Sequence, residues 1–148
     1  MSWREVATFH VDGDPKPQPR PRAFARAGRA RVYDPGTAEG WKGAVALAAR
    51  PHLPREPLQG PIRVDVELRF RRPKAHYLRG GLRPGAPTHH TGKPDRDNCE
   101  KALLDCLTQL GMWHDDGQVC AGEVTKLYGE QPGAVVRVSL DEAAAAPD

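Results

Sequence analysis

Hydrophobic and polar positions alternate most regularly over residues 62–70. Apolar side chains stand at positions 62, 64, 66, 68 and 70, with charged ones between them. Because successive strand residues point to opposite faces, this pattern predicts a strand with one buried and one solvated face. Looser alternation predicts strands over residues 4–11 and 134–140, and one over 118–128 with an irregularity near Gly122.

Two other segments carry a helical period. Residues 38–49 are rich in alanine and place Trp41 and Val45 one turn apart, with Pro51 beyond them. Residues 98–110 place apolar side chains one, two and three turns after Cys99, and a glycine follows as the stop. Strands and helices in this order predict an α+β fold, a small mixed sheet with two main helices packed on it.

Two basic stretches show no period. Residues 15–31 hold four prolines, which excludes a helix or a central strand and predicts an arm or loop. Residues 71–92 are basic and rich in glycine, and we expect a mobile loop there.

A single domain is expected over residues 1–142, followed by a disordered tail over 143–148.

Length and composition fit one ordinary domain. The chain has 148 residues, with 39% hydrophobic and 28% charged residues. It contains no apolar run long enough for a transmembrane helix, and its first residues do not resemble a signal peptide. Three cysteines are an odd number and too few for a disulfide framework, so we expect a cytoplasmic protein that does not act at a membrane.

The net charge of +3 hides a segregation of charge along the chain. Six bases and no acid lie between Asp14 and Asp34, and seven bases and no acid lie between Glu67 and Asp95. From Asp95 to Asp116 the balance reverses, with six acids and two bases. This pattern suggests a polyanion-binding surface around a carboxylate site, although uneven exposed charge explains it equally well.

The acidic window brackets the second predicted helix. Asp95 and Asp97 precede the helix, and in an extended segment their side chains would share a face. Two parallel carboxylates repel each other unless a cation lies between them, and Mg²⁺ is the usual choice where phosphate is the substrate. Asp115 and Asp116 follow a helix of about 20 Å. The two pairs can meet if residues 111–114 fold back, or if the following strand lies beside the helix N-terminus.

Each of these residues also has a purely structural explanation. Asp97 fits the N-cap of a capping box with Glu100, and Asp115 and Asp116 fit an ordinary turn. Lys101 stands one turn from Asp97 and from Asp105, where an ion pair is worth a few tenths of a kcal/mol. Only Asp95 has no such explanation.

Together, three segments resemble the RusA family of Holliday junction resolvases. Residues 95–107 follow the pattern D-x-D-N-x-x-K-x-x-x-D-x-L, and residues 113–119 follow W-x-D-D-x-Q-V. Residues 13–22 follow the family's opening, G-x-P-x-P-x-x-R-P-R. Cys99 stands where the family usually has an aliphatic residue, which affects packing only.

The resemblance implies a homodimeric endonuclease that uses Mg²⁺, with Mn²⁺ as a substitute, and cuts branched DNA at four-way junctions in recombination and repair. Its metal ligands fall on Asp95, Asp97 and Asp116, its essential lysine falls on Lys101, and Asp115 is a neighbour of the site. The basic stretches would hold the DNA phosphates. The residues expected to do so are Lys16, Arg20, Arg22, Arg71, Arg72 and Lys93.

Other readings remain open at this point. A non-catalytic DNA-binding dimer would explain the basic stretches but not three aspartates near a phosphate. A nuclease for flaps or forks would carry the same motifs, because recognition of DNA shape leaves no sequence signature. Zinc is disfavoured because neither C-x-x-C nor H-x-x-x-H occurs, and a serine hydrolase because neither serine sits in a nucleophile turn.

Overall fold

A five-stranded mixed sheet with two helices on one face forms the body of the protein. The computed structural model describes residues 2–18, 22–26, 29–33 and 39–145, with side chains left undescribed over 22–26, 29–33 and 144–145. The strands are β1 Trp3–Asp12, β2 Arg22–Arg26, β3 Arg29–Tyr33, β4 Ile62–Arg71, β5 Tyr77–Leu78, β6 Gly81–Leu82, β7 Val119–Ala121, β8 Val124–Gly129 and β9 Gly133–Asp141. The helices are α1 Glu39–Ala49, α2 Arg96–Leu110 and α3 Glu142–Ala145, with 3-10 turns at Arg50–His52, Lys74–His76 and Asp116–Gln118.

The sheet is organised around β4. Strand β9 pairs antiparallel with one edge of β4 and with β1, while β7 and β8 both run parallel to β4. The irregularity predicted near Gly122 is the break between β7 and β8. Gly122 has φ +137°, and a Cβ atom there would collide with the carbonyl of Val64, so only glycine fits.

The alternation predicted for residues 62–70 is confirmed. The apolar side chains of β4 are all buried, and they face a core to which both helices contribute. Trp41 and Val45 enter this core from α1, and Leu103 and Leu107 enter it from α2. The α+β prediction with two main helices on a mixed sheet is therefore correct.

Helix α2 begins earlier than expected. Its first residue is Arg96 and its N-cap is Asp95, which has extended dihedral angles of φ −70° and ψ 148°. The capping box predicted from Asp97 to Glu100 is wrong, since Asp97 already lies in the first turn. For the same reason Asp95 and Asp97 do not form an extended pair that shares a face. Two aspartates two residues apart both suit a cap, and the backbone angles select the first.

Neither basic stretch is as irregular as predicted. The first stays outside the main sheet, but β2 and β3 pair with each other as an antiparallel hairpin. The four prolines all precede Arg22, so they do not interrupt this pairing. We expected a mobile loop over residues 71–92; instead, it contains a 3-10 turn, the β5–β6 hairpin and a bridge from His89 to Leu127 of β8.

The described chain ends in a short helix. Helix α3 follows β9 directly, and residues 146–148, part of the expected tail, lie outside the described residues. Among the helices that the structure describes, none is long and apolar enough to cross a membrane.

Candidate active site

The N-terminal end of α2 carries the first two candidate aspartates. Asp95 makes no capping hydrogen bond through its side chain; Lys93 Nζ instead lies 2.8 Å from both of its carboxylate oxygens. Asp97 Oδ1 accepts a hydrogen bond of 2.9 Å from the backbone N–H of Asn98. The carboxylates are thus at the surface and are not consumed by capping the helix.

The chain reverses direction directly after α2. Gly111 adopts the left-handed conformation, φ 88°, and ends the helix, and the N–H of Met112 reaches back to the carbonyl of Leu107 at 3.0 Å. Trp113 is buried and donates through Nε1 to Thr108 Oγ1 at 2.7 Å. These contacts fold residues 111–114 back along the helix, the first of the two routes considered above.

A capping box shapes the turn that follows. Asp115 Oδ1 accepts from the N–H of Gly117 at 3.0 Å, and Gln118 Oε1 accepts from the N–H of Asp115 at 3.0 Å. Gln118 also donates to the carbonyls of Leu58 and Gly60, which ties the turn to the segment before β4. Asp115 therefore has a structural role in this turn, and Asp116 does not take part in the box.

Asp116 lies in a strongly acidic environment. A hydrogen bond with the carboxyl of Asp115 raises the pKa of Asp116, assisted by partial desolvation and by the charges of Asp115 and Asp105. Lys101 acts in the opposite direction. The reversal of the chain thus brings Asp116 within the electrostatic reach of two α2 side chains.

Asp95 and Asp97 share a different neighbour. Burial raises the pKa of the Cys99 thiol to about 11; the positive charge of Lys126 opposes this, and the charges of Asp95 and Asp97 add to it. Lys126 on β8 also donates to the carbonyl of Gly92 at 2.6 Å. A second lysine therefore lies near the N-terminal end of α2.

The three predicted metal ligands are not gathered into a ready cluster. Over the part of the chain that the structure describes, no three His, Cys, Asp or Glu side chains lie close enough together to hold a metal ion. The chemistry nevertheless fits a hard cation, because all three are carboxylates at the surface and Asp116 lies near the negative charges of Asp115 and Asp105. Lys93 now supplies the cation beside Asp95, and a metal ion would compete with it.

Lys101 does not act as a simple ion-pair partner. It is exposed on α2, and among the described residues it forms no ion pair with a carboxylate. The alternative of an i, i+4 pair with Asp97 or Asp105 is therefore not realised, and its charge is available to a ligand near Asp116.

The candidate DNA contacts are spread over several elements. Lys16 and Arg71 are described, Arg71 being exposed at the end of β4. Arg72 is partly buried and donates to the carbonyl of Pro87 at 2.7 Å, so it also holds the backbone of the loop. Arg20 lies outside the described residues, as does the side chain of Arg22.

The proline-rich arm contacts the N-terminal end of α2. The N–H of Gln18 donates to the carbonyl of Asn98 at 3.0 Å. Pro17 lines a groove of about 320 Å³ together with Lys93, Pro94, Asp95 and Asn98. The beginning of the first basic stretch is therefore fixed beside Asp95.

Two residues of this region were missed by sequence reasoning. Asp105 was assigned only to a helix-surface ion pair, but its charge acts on Asp116. Its position one turn after Lys101 was the available signal. Lys126 had no signal, because only the pairing of β8 with β4 brings it towards α2.

Comparison with known proteins identifies the family. The family model described as Endodeoxyribonuclease RusA matches residues 12–139. The chain belongs to the RusA endodeoxyribonuclease family. It is 35% identical over 139 residues to a Bacillus subtilis (strain 168) relative, the uncharacterized protein YqaN, and the match covers 88% of this chain and 93% of that relative. As a RusA-family member the protein is a DNA-binding endonuclease, and the described geometry belongs to a nuclease domain.

Proposed function

We propose that this protein is a Mg²⁺-dependent nuclease that resolves four-way DNA junctions by symmetric hydrolysis, acting as a homodimer in DNA recombination and repair. The observation that carries the proposal is the reversal of the chain after α2, which places Asp116 within reach of the charge of Lys101. Motifs on both sides of the helix thereby contribute to one region of a RusA-family domain.

Asp95, Asp97 and Asp116 would hold the metal. When bound, Mg²⁺ would activate a water and neutralise the non-bridging oxygens of the scissile phosphate. The ion would take the place of the Lys93 ammonium beside Asp95 and would offset the negative charges of Asp115 and Asp105 that act on Asp116. Lys93 would then be available to a DNA phosphate.

Lys101 would stabilise charge that develops during hydrolysis. An exposed ammonium fixed on a helix can donate to the phosphate oxygens as they gain negative charge in the transition state. Asp115 would act through the backbone, because its capping box with Gln118 fixes the turn that carries Asp116. We therefore regard Lys101 as catalytic and Asp115 as a positioning residue.

A two-fold dimer matches the substrate. A four-way junction has two opposed strands at equivalent positions, and a two-fold assembly of this chain would present one site to each. The basic side chains of both stretches would hold the arms through their phosphates, which gives affinity without base readout.

Cleavage of a fixed panel of labelled DNAs tests the proposal. The panel contains a four-way junction, a flap, a fork and a linear duplex, each incubated with Mg²⁺ or with EDTA and mapped on all strands. We expect paired cuts at symmetric positions of the junction, in Mg²⁺ only. Equal cutting of flaps or forks would reassign the substrate, and full activity in EDTA would refute the metal.

A further inference from the structure

The β5–β6 hairpin exposes a concentration of apolar side chains. Tyr77 is 41% exposed, Leu78 61% and Leu82 49%, and they account for three of the four large exposed hydrophobic side chains among the described residues. The fourth, Leu47, lies apart on α1. Clustered apolar exposure on a short projection marks an interaction site rather than scattered surface leucines.

The hairpin is apolar on both of its faces. Tyr77 pairs with Leu82 across the two strands, so these side chains share one face. Leu78 pairs with Gly81 at the neighbouring position and therefore points to the opposite face. Both faces remain partly exposed, the Leu78 face more than the Tyr77 and Leu82 face. A projection that is apolar on both faces suits insertion between two apolar layers better than docking on one surface.

The base of the hairpin is firmly attached. His76, directly before β5, is buried and packs edge-on against the ring of Tyr128 with centroids 4.8 Å apart. The N–H of Arg83 donates to the carbonyl of His76 at 2.9 Å, and Arg83 Nε donates to the carbonyl of Ala75 at 3.1 Å. The two ends of the hairpin are thus joined beneath the exposed side chains.

The rest of the loop is fixed to the main sheet. His90 stacks on Phe70 with ring centroids 4.0 Å apart, and its N–H donates to the carbonyl of Lys126. The N–H of Tyr128 donates to the carbonyl of Thr88 at 2.9 Å. The loop then continues directly to Asp95, so the hairpin and the candidate site share one ordered segment.

The charges around the hairpin indicate its partner. Arg71, Lys74 and Arg79 are exposed beside it, and no acid occurs between Glu67 and Asp95. Apolar side chains surrounded by cations are complementary to DNA. The stacked base pairs of DNA offer an apolar interior, and the phosphates on either side carry the negative charge. Apolar side chains of other DNA-binding proteins enter base steps in this way, at a cost of a few kcal/mol per unstacked step.

We propose that the β5–β6 hairpin is a wedge that enters the branch point of the DNA substrate and separates stacked base pairs there. This rests on the proposed function, since a branch point, where stacking is already interrupted, costs less to open than a linear duplex. The wedge would provide preference for branched over linear DNA, while the basic side chains provide affinity for either.

Fluorescence of 2-aminopurine at the junction crossover tests the wedge in EDTA, where no cleavage is needed. The test variant is Leu78→Ser with Leu82→Ser, and the control is Leu47→Ser, an equally apolar and more exposed site on α1. We expect the wild type and the control to raise the fluorescence several-fold and the double variant to lose that increase. The preference for junction over duplex should fall about tenfold, which corresponds to about 1.4 kcal/mol. Affinity for duplex should not change.

Each alternative outcome has a distinct meaning. A double variant that retains the fluorescence increase and the junction preference overturns the wedge, and the single variant Leu78→Ser repeats the test with the most exposed side chain alone. A double variant that loses self-association in sedimentation shows that the hairpin joins two copies of the chain, which also overturns it. If the wild type binds junction no better than duplex, the proposed substrate is wrong, and the wedge hypothesis is refuted together with it.

Discussion

Asp95 and Asp97 lie two residues apart and carry the same carboxylate, yet the backbone places them differently. Asp95 is extended and holds Lys93, whereas Asp97 lies in the first turn of α2 and binds the N–H of Asn98. A similar division separates Asp115, which caps a turn, from Asp116, which does not. At the residue scale, the sequence motif identifies the candidate metal ligands. The hydrogen bonds in the structure then show which of these carboxylates have a structural role and which could bind a metal.

Removing a metal ligand should separate cleavage from binding. Asp97→Asn, Asp95→Asn and Asp116→Asn each keep the side-chain size and lose the negative charge, so each should reduce junction cleavage in Mg²⁺ by at least about 100-fold. Binding in EDTA should be equal or tighter, because negative charge facing DNA is removed. Glu130→Gln, in the turn between β8 and β9, is the matched control. Wild-type cleavage by Asp97→Asn would refute the ligand assignment.

Lys101→Ala tests whether the lysine acts on the reaction. Since Lys101 is exposed and, over the described chain, unpaired with carboxylates, its loss should change the free energy of unfolding by less than about 0.5 kcal/mol. Cleavage should fall by about 100- to 1,000-fold, the usual cost of losing a group that stabilises transition-state charge. Single-turnover rates and urea unfolding measure the two effects. A variant that unfolds early but cleaves normally would indicate a structural role.

At the scale of elements, the segments on both sides of α2 converge on it. The arm reaches its N-terminal end through Gln18, and the segment after Gly111 returns along it through Met112 and Trp113. The loop over residues 71–92 is held against the neighbouring strands β4 and β8 by two histidines that pack on the rings of Phe70 and Tyr128. These elements owe their order to contacts with other parts of the chain.

The anchoring histidines should make the loop sensitive to acid. Burial lowers the pKa of His76, with Arg72 and Arg83 adding to it, and burial lowers the pKa of His90, with Lys126 adding to it. A depressed pKa in the folded state means that the contribution to stability is complete above the ordinary value of about 6.5 and is lost as the pH falls through the folded pKa.

Hydrogen exchange of the Arg83 and Tyr128 amides, corrected for the intrinsic pH dependence, should therefore show the loop opening as the pH falls below the ordinary histidine value of about 6.5. His76→Phe keeps a ring against Tyr128 and should reduce this dependence. Equal protection of both amides at pH 5 and pH 7.5 would show that the histidines do not control the loop.

The arm should contribute to DNA affinity rather than to chemistry. Arg20→Ala with Arg22→Ala should weaken junction binding and reduce the slope of log affinity against log salt by about 0.9 for each lost phosphate contact. Cleavage at saturating enzyme should largely survive. Arg50→Ala with Arg55→Ala removes the same charge from exposed positions outside the basic stretches and serves as the control. An unchanged slope would remove the arm from the DNA surface.

At the scale of the whole molecule, one sheet separates two environments. One face of the sheet carries the core with α1 and α2, and the other carries paired charges such as Arg63 with Asp65 at 2.9 Å. The candidate site lies on α2 and the turn after it, so it depends on the packing of that helix. Function would then require two such units in the proposed dimer.

Mixed dimers test the two-site arrangement. If two chains each cut one strand, a dimer of wild-type and Asp97→Asn subunits should produce nicked junctions, whereas the wild-type dimer produces linear duplexes. Tagged subunits separated after co-expression provide the mixed species, and denaturing gels of each labelled strand measure the cuts. Sedimentation should give the mass of two chains. A monomer that makes paired cuts would exclude the dimer.

The sequence alone determined the features that depend on local period and spacing. Strict alternation of apolar and charged residues predicted β4, and the apolar stripe after Cys99 predicted α2. Gly122 indicated the break between β7 and β8. The spacing of aspartates and lysine around α2 was sufficient to indicate the family, because a motif is read directly from the order of residues and needs no contact between distant segments.

The tertiary structure decided everything that depends on contacts between distant segments. Residues 71–92 show no local period, because their order comes from His76 and His90 packing on side chains of β4 and β8. The placement of Asp116 near Lys101 and Asp105 required the return of the chain after Gly111, which no one-dimensional pattern specifies. The N-cap position of α2 falls on Asp95 rather than on Asp97 because of the backbone angles, since both residues offer the same side chain.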